Sequence, residues 1–284
     1  MEITNSLKSF EAEITRKGYR PESIKNYISC VTKFLYHFKD KLTAKHINEQ
    51  DIKTFLSQFK EHNTQRGYHS AIKCFYTYEV KQLHKFRFIE YCKRNRKLPI
   101  VLSPEEMQRL IFACQNLKHK TIICLMYSTA CRVGEIINLK VSNIDPSRMV
   151  INIQDAKGGK DRQVTLDPLM LELIKEYCVQ YKPKEYLFEG QFKPFYSARS
   201  IAEFLNRYAE LAGIQKDIHP HLIRHTSATH LLEQGTDMTI IQKLLGHESI
   251  KTTQLYGHIS NTLISRIKTP LSLMTIPPSP QLTA

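Results

Sequence analysis

The sequence lacks the features of membrane, secreted and disulfide-rich proteins. No apolar run approaches the ~18 residues that cross a bilayer. The first residues, MEITNSLKSF, lack the basic-then-apolar layout of a secretory signal. Seven cysteines are present, but their number is odd and no C-x-x-C pair occurs, which argues against a disulfide framework and a zinc ribbon. We therefore expect a cytoplasmic protein with reduced thiols.

Nucleotide-binding and metal-binding motifs are also missing. The segment AKGGKD lacks the outer glycine and the Lys-Ser/Thr ending of a phosphate-binding loop. Histidines crowd one segment, but no H-E-x-x-H occurs and the first acid after His219 is Glu233, so a third zinc ligand is not indicated. A metal-dependent hydrolase is therefore a weaker alternative, and no cofactor is expected.

Positive charge is abundant and unevenly distributed along the chain. The 284 residues include 41 Lys and Arg against 27 Asp and Glu. Residues 1–97 hold 20 of the basic side chains and 10 of the acidic ones. Such an excess in one third of the chain indicates a polyanionic partner, in the first place nucleic acid. On charge alone, a basic but inert surface remains the alternative.

Hydrophobic periodicity predicts a helical first domain and a mixed second one. Helices are predicted from Ile3 to a stop at Gly18, from Pro21 to Phe38, from about Asn48 to His62 and from about Thr64 to Val80. The resulting division is a four-helix domain 1–92, a basic linker 93–99, a second domain 100–274 and a tail 275–284 that we expect to be disordered.

The second domain is predicted to be mainly α with a small antiparallel β-sheet. Ser103 and Pro104 have the residue types that begin a helix, and an apolar helix is expected over about His119 to Ala130. The period then changes, and two short strands, near 150–153 and 164–166, flank a Gly-Gly turn. Beyond Asp167 the pattern is helical again.

One set of side chains in this domain suits chemistry on a phosphodiester. It contains no carboxylate general base and no metal-ligand pattern, and its members are Arg132, Lys157, His221, Arg224, His247 and Tyr256. Two guanidinium groups can hold the non-bridging oxygens through forked hydrogen bonds at any working pH. Positive neighbours favour the tyrosine phenolate as nucleophile, and a lysine can protonate the departing sugar oxygen. A phosphotyrosyl product retains the bond energy, so rejoining needs no ATP.

The segments HPHLIRHTSATHLLEQG and IQKLLGHESIKTTQLYGH resemble the signature of the tyrosine recombinase (phage integrase) family. Lys157 lies 25 residues after Arg132, His247 lies 23 after Arg224, and Tyr256 lies 9 after His247, as in the family pattern of Arg, Lys, His-x-x-Arg, His/Trp and Tyr. The likeness covers about residues 98–259. YRPESIKNYISCVTKFLYHF also resembles the family's N-terminal core-binding domain.

The resemblance implies a role for each matching residue. Tyr256 attacks the scissile phosphate and joins the 3′ phosphate, while Arg132 and Arg224 clamp its oxygens. Lys157 is the general acid toward the 5′ oxygen, with Lys160 as the alternative. His221 assists proton movement, His247 supports the phosphate, and Glu135 orients Arg132. The chain departs from the family at Ala130 and Ala156, where glycine is common, and at Gly257, where threonine is commoner.

The resemblance also implies an assembly on DNA. A C-shaped clamp would enclose double-stranded DNA, and the basic residues expected to contact it are Lys93, Arg94, Arg96, Lys97 and Lys160. For the four linker residues, a solvated tether is the alternative. Recombination would pair two sites in a homotetramer, with the helix after Tyr256 docked on a neighbouring subunit in trans; packing of that helix in cis is the alternative. An accessory protein or a second recombinase is left open. A simple Xer-like or mobile-element recombinase is favoured; a type IB topoisomerase-like enzyme and a DNA-binding regulator that has lost cutting are the rivals.

Overall fold

The computed structural model describes residues 3–41, 43–91, 100–154, 161–191, 193–247, 249–250 and 253. The chain divides into two compact units, residues 1–96 and 97–284. The predicted linker 93–99 and the predicted tail 275–284 lie outside the described residues, so their boundaries stay predictions. Each unit is described by itself.

The first unit is a helical bundle. Its helices are α1 (Ile3–Arg16), α2 (Pro21–His37), α3 (Glu49–Ser57) and α4 (His62–Tyr78). Pro21 occupies the first turn of α2, and Asn48 and Asp51 form a reciprocal capping box at the start of α3. Aromatic rings fill the centre, where Phe10 meets Phe75 edge-to-face at 5.3 Å between ring centroids. The four predicted helices are confirmed.

The third helix ends earlier than its sequence predicts. Periodicity extended it to His62, but α3 ends at Ser57 and α4 begins at His62. The ring of Phe59 stacks on Tyr68 of α4, with centroids 4.1 Å apart, and Gln65 donates a hydrogen bond to the carbonyl of Leu56. Phe59 follows the helical spacing of α3, but it belongs to the connection between the two helices and packs on α4. Its apolar side chain therefore extended the predicted helix beyond the observed end.

The second unit is mainly helical, as predicted. Its helices are α5 (Pro104–Ala113), α6 (Leu117–Thr129), α7 (Val133–Ile137), α8 (Pro168–Tyr181), α9 (Ala198–Leu211), α10 (Pro220–Glu233) and α11 (Met238–Leu245). Side-chain caps fix several starts: Ser103 begins α5 with a capping box, and Asn116 and Asp237 cap α6 and α11. None of the helices in the described ranges is long and apolar enough to span a membrane.

A three-stranded antiparallel sheet interrupts the helices. It consists of β1 (Ile144–Asp145), β2 (Val150–Ile153) and β3 (Arg162–Thr165) in that order. Ile151 pairs with Val164, and Ile153, the last residue of β2, pairs with Arg162. The small antiparallel sheet is therefore confirmed, while β1 was not predicted because two residues are too few to show an alternating pattern.

Two clusters of buried side chains organise the second unit. The larger one joins α5, α6, α8, α9 and the sheet. The smaller one holds the end of α6 against α10 and α11, and its members are Ala130, Ala228, Leu232, Ile241 and Leu245. This smaller core packs the end of α11 against α6 and α10, and the polar cluster described next is built around that end.

Candidate active site

Three arginines converge on the carboxyl end of α11. The carbonyl of Leu244 accepts from Arg162 Nε at 2.8 Å, that of Leu245 from Arg224 Nη2 at 2.6 Å, and that of Gly246 from Arg132 Nη2 at 3.3 Å. The last carbonyls of a helix have no partner within the helix and carry its partial negative charge. The end of α11 therefore gathers three positive side chains from separate parts of the unit.

Gly246 allows this arrangement because of its backbone conformation. Its φ of 60° is in the left-handed region, which ends α11. A methyl group placed there would lie 3.3 Å from Nη1 of Arg162, a tight approach. Glycine therefore both ends the helix and leaves room for a guanidinium.

Arg224 is the most deeply placed of the three arginines. It lies on α10, is 3% exposed, and donates from Nη1 to the carbonyl of Ala130 at 2.6 Å as well as to that of Leu245. Ala130 ends α6 in the left-handed region, with a φ of 50°, and this conformation turns its carbonyl toward Arg224. Two helix ends thus fix the plane of this guanidinium.

Arg132 directly precedes α7 as its N-cap and is held by Glu135. Its backbone N–H donates to Oε2 of Glu135 at 2.8 Å, and its Nη1 donates to Oε1 at 2.9 Å. The side chain of Arg132 is 21% exposed, whereas Glu135 is buried. The predicted contact of Glu135 with Arg132 is therefore present in the structure.

Sequence reasoning missed Arg162, which binds the same carboxylate. Its Nη1 and Nη2 donate to Oε1 and Oε2 of Glu135 at 2.9 and 2.7 Å. Burial opposes ionisation of Glu135, but hydrogen bonds from Arg162 and Arg132 outweigh it and lower the pKa of this carboxyl to about 2. Arg162 follows the predicted lysines in the sequence and begins a short strand, and nothing in that local pattern indicates that it binds Glu135.

His247 lies against Arg224 directly after the α11 turn. Its Nε2 is 3.2 Å from Arg224 Nη2, and its Nδ1 is 2.9 Å from Thr253 Oγ1. Burial, Arg224 and Arg132 lower the pKa of His247 to about 4, so the ring is neutral at pH 7. Because arginine only donates, Nε2 is the acceptor and Nδ1 carries the proton toward Thr253, which is itself fully buried.

The remaining histidines of this segment have different surroundings. His221 is exposed near the start of α10, and its ring centroid is 6.5 Å from that of His225. Burial, His221 and Arg224 lower the pKa of His225 to about 4. His219 caps α10 by accepting from the backbone of Leu222, and His230 lies between the Tyr127 hydroxyl and the Leu102 carbonyl.

The structure thus brings together Arg132, Arg224, His247 and Glu135, and adds Arg162. Several predicted residues lie outside the described residues: Lys93, Arg94, Arg96, Lys97, Lys157, Lys160 and Tyr256. Thr253 is three residues before Tyr256, and Arg162 is five residues after Lys157. The described cluster is a preorganised set of mostly buried positive groups, suited to stabilising oxygens that develop negative charge.

Comparison with known proteins identifies the class of both units. The phage integrase family model matches residues 101–262, and the model of the phage integrase N-terminal SAM-like domain matches residues 7–85. A tyrosine recombinase of Pseudothermotoga lettingae is 30% identical over 247 residues, which cover 82% of this chain and 86% of that protein.

Solved structures share the fold. A crystal structure of XerA recombinase is 29% identical and matches with a TM-score of 0.57 over 94% of this chain and all of that one. A lambda integrase (75–356) dimer bound to a COC′ core site matches at 17% identity with a TM-score of 0.71, over 89% of this chain and 97% of that one. The predicted fold class is confirmed.

Proposed function

This chain belongs to the phage integrase family of tyrosine recombinases, enzymes that break and rejoin DNA at specific sites, and from that premise we propose that it does so through a 3′-phosphotyrosyl intermediate on Tyr256. The observation that carries the proposal is the anchoring of Arg132 and Arg224 on the carbonyls of two successive residues, Gly246 and Leu245, at the end of α11. Both guanidiniums are held in place before DNA arrives, which lowers the cost of organising charge around a reacting phosphate.

In the proposed reaction the two arginines bind the non-bridging oxygens of the scissile phosphate. The phenol oxygen of Tyr256 attacks phosphorus, forms the phosphotyrosyl bond and expels the 5′ oxygen of the next nucleotide. Lys157 gives that oxygen its proton, with Lys160 as the alternative donor. Neighbouring positive charge favours the phenolate form of Tyr256, whose proton passes toward His221. Reversal of these steps on a new 5′ hydroxyl rejoins the strand without ATP.

His247 supports the phosphate in this proposal. In the unliganded chain its ring is neutral and accepts from Arg224. A phosphate anion placed beside it raises the pKa of His247 by Coulomb attraction, which opposes the lowering by Arg224 and Arg132. The low pKa of His247 then describes the site without DNA.

Pairing of two DNA sites belongs to the same proposal. The similar lambda integrase is a dimer on its core site, and we extend to this chain binding of recombination-site DNA by more than one protomer. A tetramer, with the helix after Tyr256 docked in trans, completes the proposed assembly. The basic side chains Lys93, Arg94, Arg96, Lys97 and Lys160 are its proposed phosphate contacts, so affinity should fall steeply with salt.

A nicked trapping substrate tests the function. Cleavage beside the nick releases a short strand, so the protein stays joined to DNA and migrates slowly on a denaturing gel. The wild-type chain should form this adduct equally well with and without a chelator, and Tyr256→Phe should bind the DNA and form none. Persistent adduct in Tyr256→Phe would remove Tyr256 as nucleophile, and loss of adduct with chelator would favour a metal-dependent hydrolase.

A further inference from the structure

Arg162 occupies a central place among the site residues, although the sequence pattern gives it no role. It opens β3, where it pairs with Ile153. Its side chain is only 9% exposed, which is unusual for arginine and demands partners inside the protein.

All three guanidinium nitrogens of Arg162 donate to the protein. Nη1 and Nη2 form a two-pronged pair with the carboxylate of Glu135, and Nε donates to the carbonyl of Leu244 at 2.8 Å. Nη2 also lies 3.7 Å from Sγ of Cys131. A side chain bound in this way through all three nitrogens holds other groups in place.

Arg162 and Arg132 are linked twice. The first link is Glu135, whose two oxygens both accept from Arg162 and also accept from Arg132 Nη1 and its backbone N–H. The second link is the end of α11, where Arg162 binds the carbonyl of Leu244 and Arg132 binds that of Gly246. A shift of Arg162 therefore changes both groups that orient Arg132.

We propose that Arg162 is a positioning residue for DNA cleavage, which fixes the phosphate-binding guanidinium of Arg132 through the carboxylate they share. The inference rests on the proposed function and deepens it by assigning a third arginine to the site. Arg162, the first residue of β3, also binds the end of α11 just before His247.

A double-mutant cycle in the full chain tests this assignment. Arg162→Met removes the donors while keeping much of the side-chain volume, and it is combined with Glu135→Gln. The measured quantity is the single-turnover rate of adduct formation on the nicked substrate, per molecule of folded enzyme. Arg162→Met should lower this rate roughly 10- to 100-fold, as expected for a partner that orients a directly acting group. The double variant should lose less than the product of the two single losses, because both changes break the Glu135 link and only Arg162→Met also breaks the link to Leu244.

The pH dependence separates positioning from a general loss of folding. The charged and titratable groups facing Glu135 are Arg132 at the start of α7 and Arg162 on β3, with Cys131, Arg224 and His247 around them. Without Arg162 the pKa of Glu135 should rise, so the acid limb of the rate profile should move to higher pH. Arg162→Lys keeps a charge beside Glu135 and should move the limb less while still losing rate.

Arg148→Met is the matched control, because Arg148 is an exposed arginine just before β2 of the same sheet. It should leave the rate and the pH profile unchanged. Wild-type rate in Arg162→Met, or additive losses in the double variant, would overturn the positioning role while leaving the proposed function intact. Absence of adduct with the wild-type chain would overturn both.

Discussion

Replacing Glu135 by glutamine tests the buried charge that joins Arg132 and Arg162. The substitution keeps the side-chain shape but leaves two guanidiniums, 21% and 9% exposed, without their common counter-charge. The pKa of Glu135, lowered from 4.5 to about 2, corresponds to about 3 kcal/mol of stability at pH 7. Loss of one partner of a buried ion pair generally costs a similar amount. The melting temperature of the second unit should therefore fall by roughly 6–12 °C.

Glu185→Gln provides the matched control in the same unit. Glu185 pairs with Lys140 at 3.0 Å, close to the 2.9 Å between Glu135 and Arg132, but the two side chains are 60% and 43% exposed. Solvent screens such a pair, so its loss should leave the transition unchanged within error. Thermal and urea unfolding of the full chain at pH 7 measures both variants. Equal shifts for the two would refute the account of Glu135 as a buried, shared counter-charge.

The pH dependence of the same comparison has a defined sign. The pKa of Glu135 is lower in the folded chain than in the unfolded one, so its contribution is fully present above about pH 4.5 and is lost as the pH falls toward 2. The stability difference between wild type and Glu135→Gln should therefore be constant near neutrality and shrink below pH 4.5. A difference that grows with acid would contradict the assignment.

Two further substitutions test the other anchored groups. Arg224→Lys should slow adduct formation about 100-fold or more, because one ammonium group cannot replace a guanidinium held by two backbone carbonyls. The control is Arg199→Lys, since the side chain of Arg199 is 89% exposed. A near-normal rate for Arg224→Lys would contradict the proposed phosphate clamp. Thr253→Val removes the hydroxyl beside His247 Nδ1 and should cost about 1–3 kcal/mol of stability and slow DNA cleavage. Thr253→Ser keeps the hydroxyl and should retain the wild-type stability and cleavage rate. Equal behaviour of the two variants in unfolding and cleavage assays would exclude a role for that hydrogen bond.

Local sequence rules were sufficient to predict most helices, but they did not predict the connections between them. Caps such as Ser103 and Asn48 begin helices through bonds to residues three positions on, so the sequence carries the whole signal. The end of α3 depends on Phe59 stacking with Tyr68, and β1 exists only because β2 pairs with it. Both are set by tertiary contacts that periodicity does not contain.

The site could be predicted from the sequence where several functional residue types occur together at fixed sequence spacings. Arg132, Arg224 and His247 are far apart in sequence, and the structure brings them together around one helix end. Arg162 escaped because its role comes from burial and from a carboxylate 27 residues away. Ala130 was noted only as a departure from the family, whereas its left-handed φ shows why glycine suits that position.

The most direct measurement is the identity of the residue joined to DNA in the trapped wild-type adduct. Trypsin cleavage after Lys251 and Arg266 gives a peptide, residues 252–266, that contains one tyrosine, Tyr256. After nuclease treatment, mass spectrometry should find this peptide carrying a nucleotide through its 3′ phosphate, with fragments placing the added mass on Tyr256. Attachment to another residue, or through a 5′ phosphate, would contradict the proposed mechanism.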